Sequence, residues 1–352
     1  MADASSILVI RRRYLGDVVL LGSVLRNLRL HWPQGRITVL TEAAYASVLT
    51  MNPDVDAALT FPRSTGDWLG FIGKLRRARF THVIDYDNTN RSAFITRLTG
   101  AAHRTTYARE GVPFHGRWAY TTTVPVANAF YDSQPITETC LAVLSAFNVP
   151  VVSREVRLVP AAKDVAWAAQ IAPGPAQGGV ARRVLIHPGS RSVFRLWPAE
   201  RFAAVCDLLQ DRLGVQVILV AGPAERALVQ SIKQHAQSHL VAIEEALSIG
   251  RFAALAARCG VMLCHDSGPM HVAAAAGARV VGLYSSQNAT TWAPAGEGHV
   301  VLQTPLPCAC IGDAAPTPCV KDDSYRSYCV RMLSVELVFE SLAKVLTEKV
   351  SG

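Results

Sequence analysis

The chain has 352 residues, half of them apolar, with 18% charged and a formal net charge of +8. That length and apolar content suit two well-packed globular domains and exclude a disordered or fibrous chain. No run approaches the ~18 consecutive apolar residues of a membrane span, and the opening MADASSILVI lacks the basic start and long apolar core of a signal peptide, so a cytoplasmic location is expected.

Ile7–Ile10 reads as a strand, Arg11–Asp17 as the loop after it, and Val18–Leu30 as a helix, with Val18, Leu21, Leu25 and Leu28 at helical spacing. Arg36–Leu40, Ala57–Phe61 and His82–Tyr86 are further strands, separated by helices over Glu42–Thr50 and Asp67–Arg79. Residues Ala101–Val126 read as irregular, with Arg104, Arg109, His115 and Arg117 set among aromatics. Ser133–Phe147 returns to helix, Val149–Pro160 is extended, and Ala172–Gly179, APGPAQGG, is the clearest linker. A second alternating set follows: strand Val184–His187, loop Pro188–Trp197, helix Pro198–Leu213, strand Val215–Ala221, and helices Pro223–His235 and Ser248–Arg258. Val261–Cys264, the turn His265–Pro269, the small-residue helix Met270–Ala276 and Val280–Tyr284 then make strand, loop, helix, strand. A last amphipathic helix covers Ser334–Val350. Strand–helix alternation throughout predicts an α/β chain with two doubly wound, Rossmann-like units on parallel sheets. The expected boundaries are a first domain over 1–160, a linker region over 161–183, a second domain over 184–333, and a terminal helix over 334–352 that packs back on the first domain.

Charge is unevenly spread. Residues 1–154 hold 17 Arg and Lys against 11 Asp and Glu, leaving +6, and the remainder holds 18 against 16, leaving +2. The excess in the first half is nearly all arginine, whose planar fork suits phosphate and carboxylate. An acidic substrate or an anionic membrane surface would answer it; simple solubility is the alternative. No nucleic-acid motif or aromatic-interleaved basic patch is present, so no nucleic acid is expected. Cys140, Cys206 and Cys259 fall in apolar helical contexts and read as buried thiols.

Four loops carry residues suited to chemistry. In Arg11–Asp17, Gly16 permits a tight turn and Asp17 opens a helix. Asp17 is either a helix cap or a carboxylate able to take a proton from a bound hydroxyl. The loop is neither a dinucleotide fingerprint nor a P-loop, because the G-x-G-x-x-G and the Gly-Lys-Ser/Thr patterns are missing. In His187–Pro198, HPGSRSVFRLWP, Ser190, Ser192 and backbone amides can donate to phosphate oxygens, and Arg191 and Arg195 can neutralise a diphosphate. In Val220–Glu225, Glu225 follows a strand end, where a carboxylate can accept from ribose hydroxyls or simply favour a helix N-terminus. In Asp266–His271, DSGPMH, an acid, a hydroxyl, a glycine and a histidine gather at a helix N-terminus, which attracts phosphate or is merely capped.

In this order and spacing, the Ile-Leu-Val strand with LGDV, the HPGS–RLWP loop, AGPAE and DSGPMHVAAAAG resemble glycosyltransferase family 9, the heptosyltransferases of lipopolysaccharide core assembly. The resemblance covers nearly the whole chain, apart from residues about 62–130. It implies a GT-B fold: two Rossmann-like domains facing an interdomain cleft, acceptor in the first and nucleotide sugar in the second. It also implies inverting transfer of heptose from ADP-heptose to the acidic inner core, with no cofactor or metal required. Carried over, Asp17 is the general base, Ser190 and Arg195 hold the diphosphate, Glu225 the adenosine ribose, and Asp266, Ser267, Gly268 and His271 border the heptose and diphosphate. Arg11, Arg13, Arg104 and Arg109 are candidates for the acidic acceptor, and the enzyme would sit peripherally on the cytoplasmic face of the inner membrane. Arg195 stands where the family often has Lys, which keeps the charge and changes the geometry.

Cys308, Cys310, Cys319 and Cys329 cluster with spacing C-x-C-x8-C-x9-C. They are reduced loop thiols or, less in keeping with standard spacing, a four-thiolate zinc or iron site. Two other functions remain compatible with the motifs: a family 9 enzyme with a protein or other glycan as acceptor, and a non-catalytic nucleotide-sugar binder. Loss of turnover with retained donor binding in an Asp17 variant separates an enzyme from a binder.

Overall fold

The computed structural model describes residues 5–114, 116–174, 182–191, 195–285, 287–304 and 330–348. The chain divides into two compact units, Met1–Val159 and Pro160–Gly352. The first contains β1 (Ser6–Ile10), α1 (Leu15–Leu20), α2 (Gly22–His31), β2 (Arg36–Thr41), α3 (Ala46–Leu49), β3 (Ala57–Thr60), α4 (Asp67–Arg77), β4 (His82–Asp85) and α5 (Asn90–Leu98). It continues with β5 (His103–Arg109), β6 (Thr122–Val126), α6 (Asn128–Ser133) and α7 (Ile136–Ala142). The strands form one parallel sheet in the order β3-β2-β1-β4-β5-β6. Leu8 and Ile10 of β1 and Val83 of β4 are fully buried. Such near-continuous apolar strands are what a parallel sheet covered on both faces requires, and each fully buried Leu or Ile contributes about 1.5–3 kcal/mol.

The second unit contains α8 (Ala162–Ile171), β7 (Arg183–His187), α9 (Ala199–Leu213), β8 (Gln216–Val220), α10 (Arg226–His235), β9 (Val241–Ile243), α11 (Ile249–Cys259) and β10 (Val261–His265). It ends with α12 (Gly268–Ala275), β11 (Arg279–Tyr284), β12 (Val300–Gln303) and α13 (Val335–Thr347). Its sheet is again all parallel, in the order β12-β11-β10-β7-β8-β9. Each sheet reverses its winding once, between β1 and β4 in the first unit and between β7 and β10 in the second. Ligands of doubly wound sheets bind at the carboxyl ends of the strands flanking such a reversal.

Several expected elements are redrawn. The helix expected over Val18–Leu30 begins three residues earlier and is interrupted at Leu21. Its start moves because the Asp17 carboxylate bonds back to the Tyr14 amide and so closes the first turn. Within Glu42–Thr50 only the short α3 is helical. Ala101–Val126 is not irregular: it supplies β5 and the edge strand β6. These strands lack an apolar run, but Thr105 and Thr106 are fully buried and β-branched, and Pro125 is tolerated at a sheet edge.

The segment expected as a linker over 161–183 contains α8, which packs on α11, with the Arg251 guanidinium 5.0 Å over the Trp167 ring. α13 was expected against the first domain. Instead it packs on α9 and on β10, β11 and β12, with Val338, Leu342 and Val345 in the core of the second unit. Its apolar stripe therefore completes that core. Cys206 and Cys259 are buried and Cys140 is half-buried; burial pushes all three thiols up to about 12, which suits structural thiols.

Candidate active-site loops

At the reversal in the first unit, the β1–α1 loop lies beside the turn that follows β4. The Asp17 side chain is 12% exposed. Its Oδ2 accepts the Tyr14 amide at 2.9 Å and its Oδ1 pairs with the Arg11 guanidinium. Burial works against the charge on Arg11, but Asp17, with Tyr107 and Cys140, more than offsets it, and the guanidinium is held above its ordinary value. Arg11 also donates to the Tyr86 carbonyl at 2.5 Å. Asp17 is thus part cap, through one oxygen, and part of an ion pair through the other. A cap needs only the first.

The four arginines considered for an acidic acceptor separate. Arg11 is the partner of Asp17. Arg13 is exposed, 5.7 Å over the Tyr14 ring. Arg109 is committed to Asn128 at 2.7 Å and to Asp132 at 3.1 Å, and lies 3.9 Å over the Tyr131 ring. Arg104 is at the amino end of β5, five residues from Arg109, hence about 16 Å from the carboxyl edge, and it bonds to the Ala119 and Ala101 carbonyls. It is not brought to Asp17.

Two features here were not singled out in the sequence. A cavity of about 640 Å³ opens at the carboxyl end of β3, lined in part by Phe61, Arg63, Asp67, Phe71 and Lys74. A smaller one of about 290 Å³ includes Glu42, Arg63 and Arg91, and Glu42 lies 3.9 Å from Arg12. The other feature is a pair of Asp-x-Asp spacings, Asp54-Val55-Asp56 and Asp85-Tyr86-Asp87. Such pairs often hold metal ions, but here the oxygens meet protein donors: Arg26 at Asp54, Arg29 at Asp56, Tyr120 at Asp85 and Arg12 at Asp87.

At the reversal in the second unit, the loops after β7 and β10 meet. His265, the last residue of β10, latches them. It is wholly buried; its Nε2 accepts the Trp197 amide at 2.8 Å, and its Nδ1 faces the Gly189 carbonyl at 3.4 Å. Burial pushes His265 down to about 3, so the ring is neutral and Nε2 is free to accept. Sequence pattern read His265 as the start of a turn; its only signal was a histidine closing an apolar strand. Trp197 is fully buried in the core, and its Nε1 donates to the Leu333 carbonyl at 3.0 Å. The far end of the β7 loop is thereby anchored to the turn before α13.

Arg195 and Asp266 are brought together across these loops, 3.9 Å apart, with 15% and 12% of their side chains exposed. Among the described residues, the buried Nε of Arg195 has no hydrogen-bond partner. Ser267 stands at the N-cap of α12 but gives its hydroxyl to the His265 carbonyl at 3.2 Å, so its side chain does not cap the helix; Pro269 has no N–H, and the Met270 amide donates to the Ser267 carbonyl at 3.1 Å. Gly268 opens that helix, and His271 is buried within it. Ser190 follows Gly189 and is half-buried.

Glu225 lies against this loop. Its Oε2 accepts the Gly222 amide at 2.6 Å, so it too serves as a cap. Glu225 lies near the half-buried His187, whose imidazole desolvation holds below its ordinary value while the carboxylate works the other way. Gly189 is required here: an added Cβ would lie 2.6 Å from Glu225 Oε1 and 2.8 Å from its Cδ and Cγ. Gly189→Ala is therefore expected to displace the whole Glu225 side chain and to lower stability by about 1–3 kcal/mol, the cost of overpacking. A urea midpoint equal to that of the wild type would show that the Glu225 side chain yields without cost. Among the described residues no three His, Cys, Asp or Glu side chains gather so as to hold a metal ion. The cysteines at 308, 310, 319 and 329 lie outside the described residues.

Two doubly wound parallel units, each with polar loops at its reversal point, make a GT-B-type architecture. Residues 68–316 match the family described as glycosyltransferase family 9 (heptosyltransferase), and the chain belongs to that family. It is similar to lipopolysaccharide heptosyltransferase 3 of Escherichia coli, 24% identical over 294 residues, covering 80% of this chain and 84% of the relative. Among solved structures it resembles the glycosyl transferase family 9 protein of Veillonella parvula, with TM-score 0.80, 22% identity and 99% of each chain covered. The E. coli ADP-heptose lps heptosyltransferase II superposes with TM-score 0.75, 19% identity, and 97% and 98% covered. Among the described residues no helix is long and apolar enough to cross a membrane.

Proposed function

We propose that this glycosyltransferase moves heptose from ADP-heptose to the lipopolysaccharide inner core, with inversion and without a metal. Asp17 takes the proton of the acceptor hydroxyl as that oxygen bonds to the anomeric carbon. The anomeric C–O bond to the diphosphate breaks at the same time, and ADP leaves with the electron pair. That leaving charge is met by Arg195 and by the positive end of α12, an electrostatic arrangement that needs no reorganisation during the reaction. Ser190 holds the diphosphate with Arg195, Glu225 takes the ribose hydroxyls, and Asp266, Ser267, Gly268 and His271 border the sugar. The observation that carries this reading is Arg195: a half-buried guanidinium near Asp266, with a buried Nε that no described residue satisfies. Such a donor suits an anionic ligand, since leaving it unmet costs about 1–3 kcal/mol.

The acidic acceptor goes to the first unit, where Arg13 is exposed and the β3 cavity carries Arg63 and Lys74. Family membership and the names of the relatives support heptose and the lipopolysaccharide core. We place the enzyme in the cytoplasm, peripheral to the inner membrane that carries such an acceptor. The test is to incubate ADP-heptose with a panel of truncated core lipids and identify products by mass, with and without EDTA. One heptose added to an inner-core acceptor, undiminished by EDTA, is expected. Transfer only to a protein or to another glycan overturns the acceptor. Loss on chelation, restored by a divalent ion, overturns the metal-free mechanism.

A further inference from the structure

Asp85 has no part in the mechanism above, yet it ends β4 at the first unit's reversal point and is fully buried. Its Oδ1 accepts the amides of Asp87 at 2.8 Å and Asn88 at 3.2 Å, and its Oδ2 accepts the Tyr120 hydroxyl at 2.6 Å. Every one of these partners is a donor. A carboxylate that only accepts is the ionised one, so the surroundings are built for the charged form. Among the described residues Asp85 has no ion-pair partner, and a buried carboxylate in that state is costly unless something is gained from it.

What it grips is the turn 86–88, and that turn holds the loop carrying Asp17. The Tyr86 carbonyl receives Arg11, the partner of Asp17. The Asp87 carboxylate receives the Arg12 amide at 3.2 Å, lies 3.4 Å from the Arg12 guanidinium, and takes the Thr89 hydroxyl at 3.2 Å. Asn88 sits in the left-handed region, at φ 49°, and is pinned through its side-chain amide to the Tyr107 carbonyl at 3.0 Å. A non-glycine residue keeps such a conformation only where its neighbours over-determine it.

We propose that Asp85 is a positioning residue for the transfer: through the 86–88 turn it fixes Arg11 and Arg12, and through Arg11 it aims the Asp17 carboxylate. The inference rests on Asp17 being the base. Burial pushes Asp85 up to about 6, against the pull of the Tyr120 and Ser92 hydroxyls and the two amides. The titratable and charged groups around it are Tyr120, Asp87 and, behind Asp87, Arg12. The strand residues opposite it, Ile10 and Thr106, are uncharged. Turnover then falls as pH drops through this range and Asp85 takes a proton.

The experiment compares the full-length wild type with D85N, D17N, the D85N/D17N double variant and Y120F, measuring kcat, ADP affinity and the pH profile. In D85N the amide oxygen can still accept the Asp87 and Asn88 amides, but the amide nitrogen cannot accept the Tyr120 hydroxyl, and the displaced side chain is expected to lower kcat by about ten- to a hundredfold, the scale of a slightly misplaced group, with ADP affinity unchanged. The double variant is expected to be no slower than D17N, because Asp85 acts only through Asp17. Y120F, having lost one donor to the carboxylate, moves the acid limb to higher pH. Wild-type kcat in D85N while D17N is inactive overturns the positioning role, as does a double variant slower than D17N by the full D85N factor. Wild-type kcat in D17N instead strikes the base assignment, and with it the coupling. Should D85N not fold, Y120F decides: an acid limb unmoved by the loss of its hydroxyl overturns the proposal.

Discussion

Asp17→Asn is expected to lose transfer by roughly 10³-fold, the scale of a missing general base, while binding ADP as the wild type does. The second half follows because every residue we assign to the donor lies in the second unit. Asparagine is the informative substitution. Asp17 Oδ2 accepts the Tyr14 amide, and an amide oxygen can keep that bond, so a residue serving only as a cap would tolerate the change. What asparagine cannot do is accept the proton of the acceptor hydroxyl or balance the Arg11 charge. Asp17→Ala removes the cap as well and adds a stability loss of about 1 kcal/mol. Wild-type turnover in Asp17→Asn would leave Asp17 as a structural residue and the base unidentified.

Trp197→Ala is expected to be the most destabilising single change in the second unit, by about 3–5 kcal/mol. The ring has no exposed surface, stacks edge-on against Phe202 with centroids 5.0 Å apart, and gives its Nε1–H to the Leu333 carbonyl. Its own amide is the one that His265 accepts. Truncation therefore opens a cavity in the core, removes one of the two hydrogen bonds to the Leu333 carbonyl, which Arg201 also reaches at 2.8 Å, and frees the loop that carries Ser190 and Arg195. Urea unfolding followed by circular dichroism is the measurement, alongside ADP affinity, which is expected to weaken in parallel. Trp197→Phe keeps most of the volume and loses mainly the hydrogen bond, at about 1 kcal/mol. A Trp197→Ala protein whose urea midpoint matches the wild type would mean that the core closes over the gap and the loop is held elsewhere.

The parts of the site legible in the sequence are those written by local rules. LGDV after an apolar strand, HPGS ahead of RLWP, AGPAE, and DSGP before a run of alanines each mark a strand end followed by a helix start. A strand end at a reversal point is where such folds bind. Even there the sequence left each acid divided between cap and site. The structure shows why: Asp17 and Glu225 both bond back to an N-cap amide and still present a second oxygen, to Arg11 in one case and against Gly189 in the other.

By itself the sequence determined two α/β units, the second nearly element by element, because near-continuous apolar strands and helical spacing are local and strong. It could not reveal β5 and β6, because the fully buried residues of β5 are Thr105 and Thr106 rather than an apolar run, nor α8, whose cover is a helix some eighty residues away. Only the tertiary structure decided that α13 closes the second unit, since an amphipathic stripe states that it must be buried and not against what. The same holds for His265 and Asp85. A histidine ending one strand and an aspartate ending another acquire their roles from partners distant in the chain, Trp197 and Gly189 for the first, Tyr120 for the second. Long-range hydrogen bonds in a dry interior leave no periodic trace in the residues that make them.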